Sequence, residues 1–518
     1  MDIQENHIHS LENVQEEEND GTRLIKKDET EITPNSFEVS RLLSKFYGIG
    51  TILFSVAIYT AVLKGFTGDR KSGLTTPVAY YYMSILFGLS ILFMAATFIN
   101  EYLLYRRNAA AIEKEIAPQS TNVYLKVGLV MFGIVAILFL LIGFMCYFDV
   151  PPKYRDAGES YFDMIGLVFH VLQIAYLLRY SRVCFQQKPV FIRFGVMHMI
   201  ATNVTYWLQL VAFDTVIDFT EDYRNNSFFN FSPYSDGKNV STLNKICSKT
   251  SGYMTACIIE YSIIAATLLQ IIWGNVGQVR QPAVEITPVH KHSLKNALYG
   301  IATGSVFLVS VIIFGVLSVT LDDERVKHLV LPFSVFRIIT FICMLVTVIV
   351  CLRSVHRNSC NALGAFPPIT FSTNDCTLLL FCLSFFILDD LYSLLAVIVS
   401  KNGNALDIFN CVLGLIVFIL QSVVIIIGLY DNSVILKRKM LIRQLLMFLF
   451  VVNISWWIFS HYELKHEMLF YVIEPSVYTE LLWYIINHIT TPVVILFAFH
   501  SSACIFEIVV SKTNGNDI

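Results

Sequence analysis

Ten polar side chains stand inside, or at the ends of, long apolar runs: Glu260, His500, Asp214, Gln173, Asn203, Asn487, His488, Gln421, Asn453 and Glu463. Carboxylates and imidazoles take up and release protons, and imidazole does so near neutral pH. Amides in the same places hold hydrogen-bond partners. Ionisable groups in hydrocarbon are costly and face a bundle interior or a water path by default. The set therefore fits proton movement better than bond making. No Walker loop, GxSxG, HExxH or glycine-rich dinucleotide fingerprint accompanies it, and neither an enzyme nor a cofactor is expected.

The elements that must hold these groups are membrane helices. Hydrophobic residues make up 55% of the 518-residue chain and charged residues 15%, with mean hydropathy +0.60. Soluble domains carry about 25% charged residues. The sequence has about twelve continuous apolar runs of roughly 20 residues, the length that crosses about 30 Å of hydrocarbon. Barrel strands would alternate over about ten residues, so an all-α polytopic membrane protein is expected. The net charge of −3 and the lack of a long basic block argue against a nucleic-acid partner. The 11 cysteines have no CxxC pairs and lie mostly in apolar runs, Cys146 and Cys257 among them, which reads as small buried residues rather than metal or disulfide chemistry.

One stretch is written twice. Arg193, Met197, Asn203 and Trp207 in the fifth run return as Arg443, Met447, Asn453 and Trp457 in the eleventh. At 3.6 residues per turn the four positions share about a third of the helix circumference. FHVLQIAYLL in the fourth run likewise resembles VFILQSVVII in the tenth, setting Gln173 against Gln421. Two parallel six-helix repeats follow, since an even number of spans leaves both halves in one orientation. The repeated Asn/Trp face is expected to line something wet. The expected division is a disordered cytoplasmic tail at 1–42, an N-terminal six-helix domain at 43–280, a cytoplasmic linker at 281–295, a C-terminal six-helix domain at 296–510 and a tail at 511–518. The loop at about 214–252 carries sequons at Asn225, Asn230 and Asn239, which places it outside and both termini in the cytoplasm. Lys and Arg in the other set of loops agree.

Each polar group has a plainer reading. Arg193 and Glu507 lie near helix ends, where they could snorkel. Arg337 could neutralise Asp389 or Asp390. Buried Asn and Gln often only join neighbouring helices, for about 1 kcal/mol each. Glu260 stands apart, several residues inside its run with no basic partner on its own helix. His461 and His466, with Glu463 and Glu467, form a possible zinc-inhibition site, although solvated loop residues explain that spacing as well.

Several segments together resemble the otopetrins, a family of acid-activated proton channels. They are RFGVMHMIATNVTYWL at 193–208, CIIEYSIIAA at 257–266 with IIWGNVG at 271–277, VLQIAYLL in the fourth run, NISWWIFSHYE at 453–463, and a proline followed by FHSSACIFEI at 499–508. The resemblance implies a homodimer of two-domain subunits in the plasma membrane, with protons as the conducted species. It also implies lipid and sterol at helix interfaces, and proton paths through each domain and along the seam between them. At that seam it places a Gln, an acidic or amide group and an Asn, matched here by Gln173, Asn203 and either Asn487 or His488. It assigns the acid in the sixth span to Glu260 and the histidine in the twelfth to His500. Ala498 stands where the family usually has Arg, so local charge balance is expected to differ. A proton-coupled transporter of a small solute and a non-conducting membrane scaffold are the competing classes. Flux without a second substrate separates the first from a channel, and reconstitution separates the second.

Overall fold

The computed structural model describes residues 34–67, 76–106, 123–149, 157–181, 183–223, 242–277, 297–321, 323–360, 373–400, 403–430, 439–465 and 473–510. The sequons at Asn225, Asn230 and Asn239, His466, the two tails and the 281–295 linker lie outside these residues. Helix α11 contains Glu463, whose side chain is likewise outside the description.

The described residues form helices α1 (Pro34–Thr67), α2 (Thr76–Arg106), α3 (Val123–Asp149), α4 (Ala157–Tyr180), α5 (Pro189–Tyr223), α6 (Thr242–Asn275), α7 (Leu298–Thr320), α8 (Asp323–Cys360), α9 (Thr373–Val399), α10 (Ala405–Tyr430), α11 (Lys439–Lys465), the one-turn-plus α12 (Glu474–Tyr478) and α13 (Glu480–Val510). Eleven of these are long and apolar enough to cross a membrane. The other long helix, α5, falls short of that apolarity because it carries Arg193, His198, Asn203, Gln209 and Asp214. It is an interior helix, packed against α1, α2, α6 and α13, so its polar groups meet protein rather than lipid.

The helix pairings repeat. In the first half α1 packs on α5, α5 on α6, α3 on α6, α2 on α4 and α3 on α4; in the second, α7 packs on α11, α11 on α13, α9 on α13, α8 on α10 and α9 on α10. Contacts across the seam are paired too: α5 with α13 and α6 with α11, α3 with α13 and α9 with α6, and α6 with α13 at the centre. Helices α5, α6, α11 and α13 thus form the middle of the molecule. They hold the most buried polar side chains, while α1, α2, α3, α7, α8 and α9 expose long apolar side chains, as a lipid-facing surface requires.

Local devices fix the central helices. Arg193 is fully buried; it donates to Ser40 Oγ at 2.8 Å and to the Val276 carbonyl at 3.0 Å, tying α1 and the end of α6 to α5. It does not snorkel. Gly300 lets α7 approach the backbone of α11, since a Cβ there would fall 2.0 Å from the Gln444 carbonyl oxygen. Thr479, at φ 70°, breaks the chain between α12 and α13. Pro492 lies inside α13, where it removes one N–H and frees the carbonyl one turn back, at His488.

Candidate functional site at the seam between the halves

Glu260 lies on α6 with its carboxylate fully buried, and its neighbours come from the other half of the chain. Trp457 on α11 donates its indole N–H to Glu260 Oε1 at 3.0 Å. Oε2 lies 3.7 Å from His461 Nε2, also on α11, and has no hydrogen-bond partner among the described residues. Cys257, one turn before Glu260, sets its Sγ 3.7 Å from the same Nε2. His461 Nδ1 lies 2.8 Å from the Trp457 carbonyl, which as sole acceptor there makes Nδ1 the protonated nitrogen and leaves the Nε2 lone pair toward Glu260 and Cys257. Trp457 therefore orients both the acid and the base. Phe132 and Phe499 pack against its ring.

His461 was expected in a solvated outer loop. The helix continues through it to Lys465, and the imidazole turns into the seam with only 14% of its side chain exposed. Loop spacing gave no sign of this, because the basic partner of Glu260 comes from a helix two hundred residues away in sequence. Proximity to His466 and Glu463 is outside the described side chains.

A second polar file runs inside the first half. Asp163 on α4 is buried and within electrostatic reach of Tyr206 on α5. The Tyr206 ring centre is 5.5 Å from that of His170, which is 5.1 Å from that of Tyr261. Tyr261 donates to Gln173 Oε1 at 2.8 Å. Asp163 Oδ2, the Tyr206 hydroxyl, His170 Nε2 and Gln173 Nε2 are all buried without a hydrogen-bond partner among the described residues. His170 Nδ1 is occupied by the Gly166 carbonyl at 2.7 Å. Asp163, Tyr206 and Tyr261 are absent from the sequence-based set. Tyrosines inside apolar runs read as packing residues, and Asp163 lies close enough to the start of its helix to read as an end group.

The second half closes the corresponding place. Gln421 Nε2 donates to Asn453 Oδ1 at 3.0 Å and Asn453 Nδ2 donates to Gln421 Oε1 at 3.2 Å. Gln421 and Asn453 thus satisfy each other. Their repeat partners do not: Gln173 is held by Tyr261, while Asn203 donates to the Met199 carbonyl at 2.7 Å and leaves Oδ1 without a partner among the described residues. Asn203 and Trp207 border a cavity of about 250 Å³ between the halves. Val204, Ile263, Ala266, Leu378 and Phe381 make most of its wall apolar, so the repeated face is less wet than its amide and indole imply.

The other named residues fall in three places. Asn487 is buried on α13, accepting from Thr491 through Oδ1 while its Nδ2 lacks a partner among the described residues. His488 Nδ1 lies 2.7 Å from the Tyr484 carbonyl and 3.3 Å from Thr215 Oγ1 on α5. Aligning IIEY at 258–261 with IINH at 485–488 sets Asn487, rather than His488, opposite Glu260 in the repeat. Asp214 is half-buried next to Thr215. His500 lies toward the far end of α13, its Nε2 2.9 Å from the carbonyl of Asp375 in the first turn of α9. Cys504 Sγ is 3.5 Å from the same nitrogen. His500 is thus at the opposite end of the bundle from α12.

Short helix α12 covers the end of the second half. It carries Glu474, which is buried and hydrogen-bonded by Ser393. Burial pushes this carboxyl up to about 7, and nearby Asp389 adds to the effect. Asp389 itself accepts from Thr490 at 2.6 Å. Arg337 lies over the rings of Phe341 and Trp456.

The chain is similar to "Proton channel OtopLc" of Drosophila melanogaster, with 22% identity over 441 residues, covering 74% of this chain and 27% of that protein. It is also similar to "Proton channel OTOP2" of Mus musculus, 22% identical over 253 residues, 46% of this chain and 43% of the relative. "Proton channel OTOP2" of Homo sapiens is 23% identical over 266 residues, 49% of this chain and 44% of the relative. The matches thus span less than half the length of each of these relatives. A sequence model of the family described as Otopetrin matches residues 124–229 and 220–499, which together hold α3 through most of α13 and the whole Glu260–Trp457–His461 cluster. That match runs over well more than half of the 518 residues, and the chain belongs to the otopetrin family.

Proposed function

We propose that this protein is a proton channel, and that the Glu260–His461 pair at the seam is where the proton is handed across. The observation carrying this reading is the geometry of that pair. A fully buried carboxylate and a neutral imidazole with its lone pair turned inward lie 3.7 Å apart, within one small rearrangement of a direct hydrogen bond. A proton shared between them leaves the local charge near neutral, which keeps the cost of passage through a low-dielectric region small. The names of the similar proteins agree with it.

The file from Asp163 to Gln173 is the natural accessory path. Buried polar atoms are satisfied by protein or by water, and polar sites with several convergent groups hold water. Four partnerless polar atoms in one file therefore favour a bridged chain of water and side chains, along which protons move without a wide pore. The Gln421–Asn453 pair closes on itself and offers the second half no equivalent.

This channel opens to acid from outside the cell, sits in the plasma membrane with both termini in the cytoplasm, and works as a homodimer of subunits each divided at 43–280 and 296–510. Glycosylation at Asn225, Asn230 and Asn239 belongs to the same topology. Cys146 supports its direction: it is disulfide-bonded near the end of α3 that this topology puts outside, where oxidising conditions preserve such bonds. Its apolar surroundings in sequence had favoured a simple buried thiol. Glu474 and Asp214 would then lie toward the acid side, and His500 toward the cytoplasm.

The test is reconstitution of the purified protein into vesicles loaded with a pH-sensitive dye, with potassium and valinomycin holding the voltage. A proton flux that begins with the pH gradient and needs no other solute supports the channel. Flux appearing only with an added solute would replace it with a coupled transporter, and no flux from folded protein would leave a scaffold.

A further inference from the structure

Cys257, Glu260 and His461 bring one sulfur, one oxygen and one nitrogen to a single point. Their ligand atoms all lie within 4.8 Å of one another, and two of the three separations are 3.7 Å. Four ligands at about 2.0–2.3 Å around a tetrahedral zinc ion are themselves about 3.3–3.8 Å apart, so the observed spacing matches a site about to close on a metal. We propose that these three side chains form a binding site for a divalent transition metal of the zinc type, which staples α6 of the first half to α11 of the second. The proposal rests on the geometry of the cluster and not on proton conduction.

Several features set this apart from a chance meeting of polar groups. Glu260 Oε2 is buried, has no hydrogen-bond partner among the described residues and points at the cluster. The His461 tautomer is already the one a metal needs, because Nδ1–H donates to the Trp457 carbonyl and leaves Nε2 free. The indole of Trp457 holds the other carboxylate oxygen. Ligating histidines and carboxylates are commonly oriented by such hydrogen bonds, and one residue supplies both here. The charges also balance. When the metal binds, the Cys257 thiol loses its proton to solvent and the Sγ–metal bond forms, with no change of oxidation state. A thiolate, a carboxylate and a neutral imidazole then carry two negative charges against the two positive charges of the ion, so the filled site is neutral inside the bundle.

The repeat adds an internal control. Matching the Asn/Trp segments and IIEY with IINH puts Val211, Tyr484 and Asn487 where the other side has His461, Cys257 and Glu260. Val211, Tyr484 and Asn487 meet the same packing requirement without a thiol, carboxylate or imidazole at those three positions. The three donors are therefore not demanded by the fold. The His461 side chain keeps 14% exposure, and three protein ligands leave a fourth position for water.

Cobalt(II) is the probe, added to the purified full-length protein in detergent, with thiolate-to-cobalt charge-transfer absorbance as the readout. The native protein is expected to show a saturable band that one equivalent of zinc removes. Cys257→Ser and Cys257→Ala should both lose the band. His461→Ala should weaken binding about 10-fold or more, and Trp457→Phe, which releases the carboxylate from its indole, by about 10- to 100-fold. Cys382→Ser, at the buried α9 cysteine within electrostatic reach of Glu260, should keep it. Melting curves of each variant check that it is folded. No band in folded native protein, or an unchanged band in both Cys257 variants, overturns the site. This optical readout fails or succeeds independently of proton flux. In vesicles, external cadmium should act at a concentration about 10-fold higher on Cys257→Ser than on the native protein; equal sensitivity would also count against the site.

Discussion

Trp457 on α11 donates its indole N–H to Glu260 on α6, whereas Trp207, its counterpart in the repeat on α5, is half-buried with a buried indole N–H that has no partner among the described residues. The duplicated sequence thus gives two helices of the same shape and only one of them a hydrogen-bonded acid. Replacing an indole by a phenyl ring should expose the difference. Trp457→Phe leaves a buried carboxylate oxygen without its donor and should cost about 1–3 kcal/mol. Trp207→Phe removes no such bond and should cost less, through packing alone. Thermal unfolding in detergent checks the pair, with equal losses contradicting the asymmetry.

A second test concerns Gln421 and Asn453, which satisfy each other across α10 and α11. Either one replaced by Leu leaves the other amide buried and under-bonded, at about 1–3 kcal/mol. The double replacement removes both partners and should cost clearly less than the sum. A double-mutant cycle read by unfolding gives the coupling directly. Additive losses would mean that the two amides are held by other groups.

Glu474 supplies the pH dependence. Its folded-state value of about 7 is above that of an exposed carboxylate, so the folded protein binds this proton more tightly than the unfolded chain does. The resulting stabilisation is full below the unfolded value, near pH 4.5, and is lost as pH rises through about 7. Glu474→Gln imitates the protonated form. It should raise stability at pH 8 by on the order of 2 kcal/mol and flatten the slope between pH 5 and pH 7.5. An unchanged slope would remove Glu474 as a titrating group. In the orientation proposed above this carboxyl faces the acid side, so the same variant should also shift the pH at which flux rises.

Much of the architecture was open to reading from sequence, because membrane spans and the duplicated Arg/Met/Asn/Trp segment depend on local patterns. Glu260 could be singled out for the same reason, as an acid in an apolar run. Its partners were hidden. His461 looks like a loop residue because polar Tyr462, Glu463 and Lys465 follow it, and only the extension of α11 turns it inward. Tyr206 and Tyr261 carry no charge pattern to mark them, yet their hydroxyls lie in the buried file with His170. Contacts between helices distant in sequence make these sites, and periodicity along one helix cannot report them. The repeat was misleading in one respect: Asn203 and Asn453 occupy equivalent positions, but only Asn453 finds its glutamine.

In the proposed channel, Glu260 passes the proton. The most direct measurement is dye-reported flux into voltage-clamped vesicles for the native protein and Glu260→Gln at equal incorporation. Gln keeps the size and a carbonyl acceptor for Trp457 but cannot release a proton. Glu260→Gln is expected to lose flux by about 10-fold or more, in line with removal of a proton-transfer group. Native-level flux through Glu260→Gln would contradict it and move conduction away from the seam.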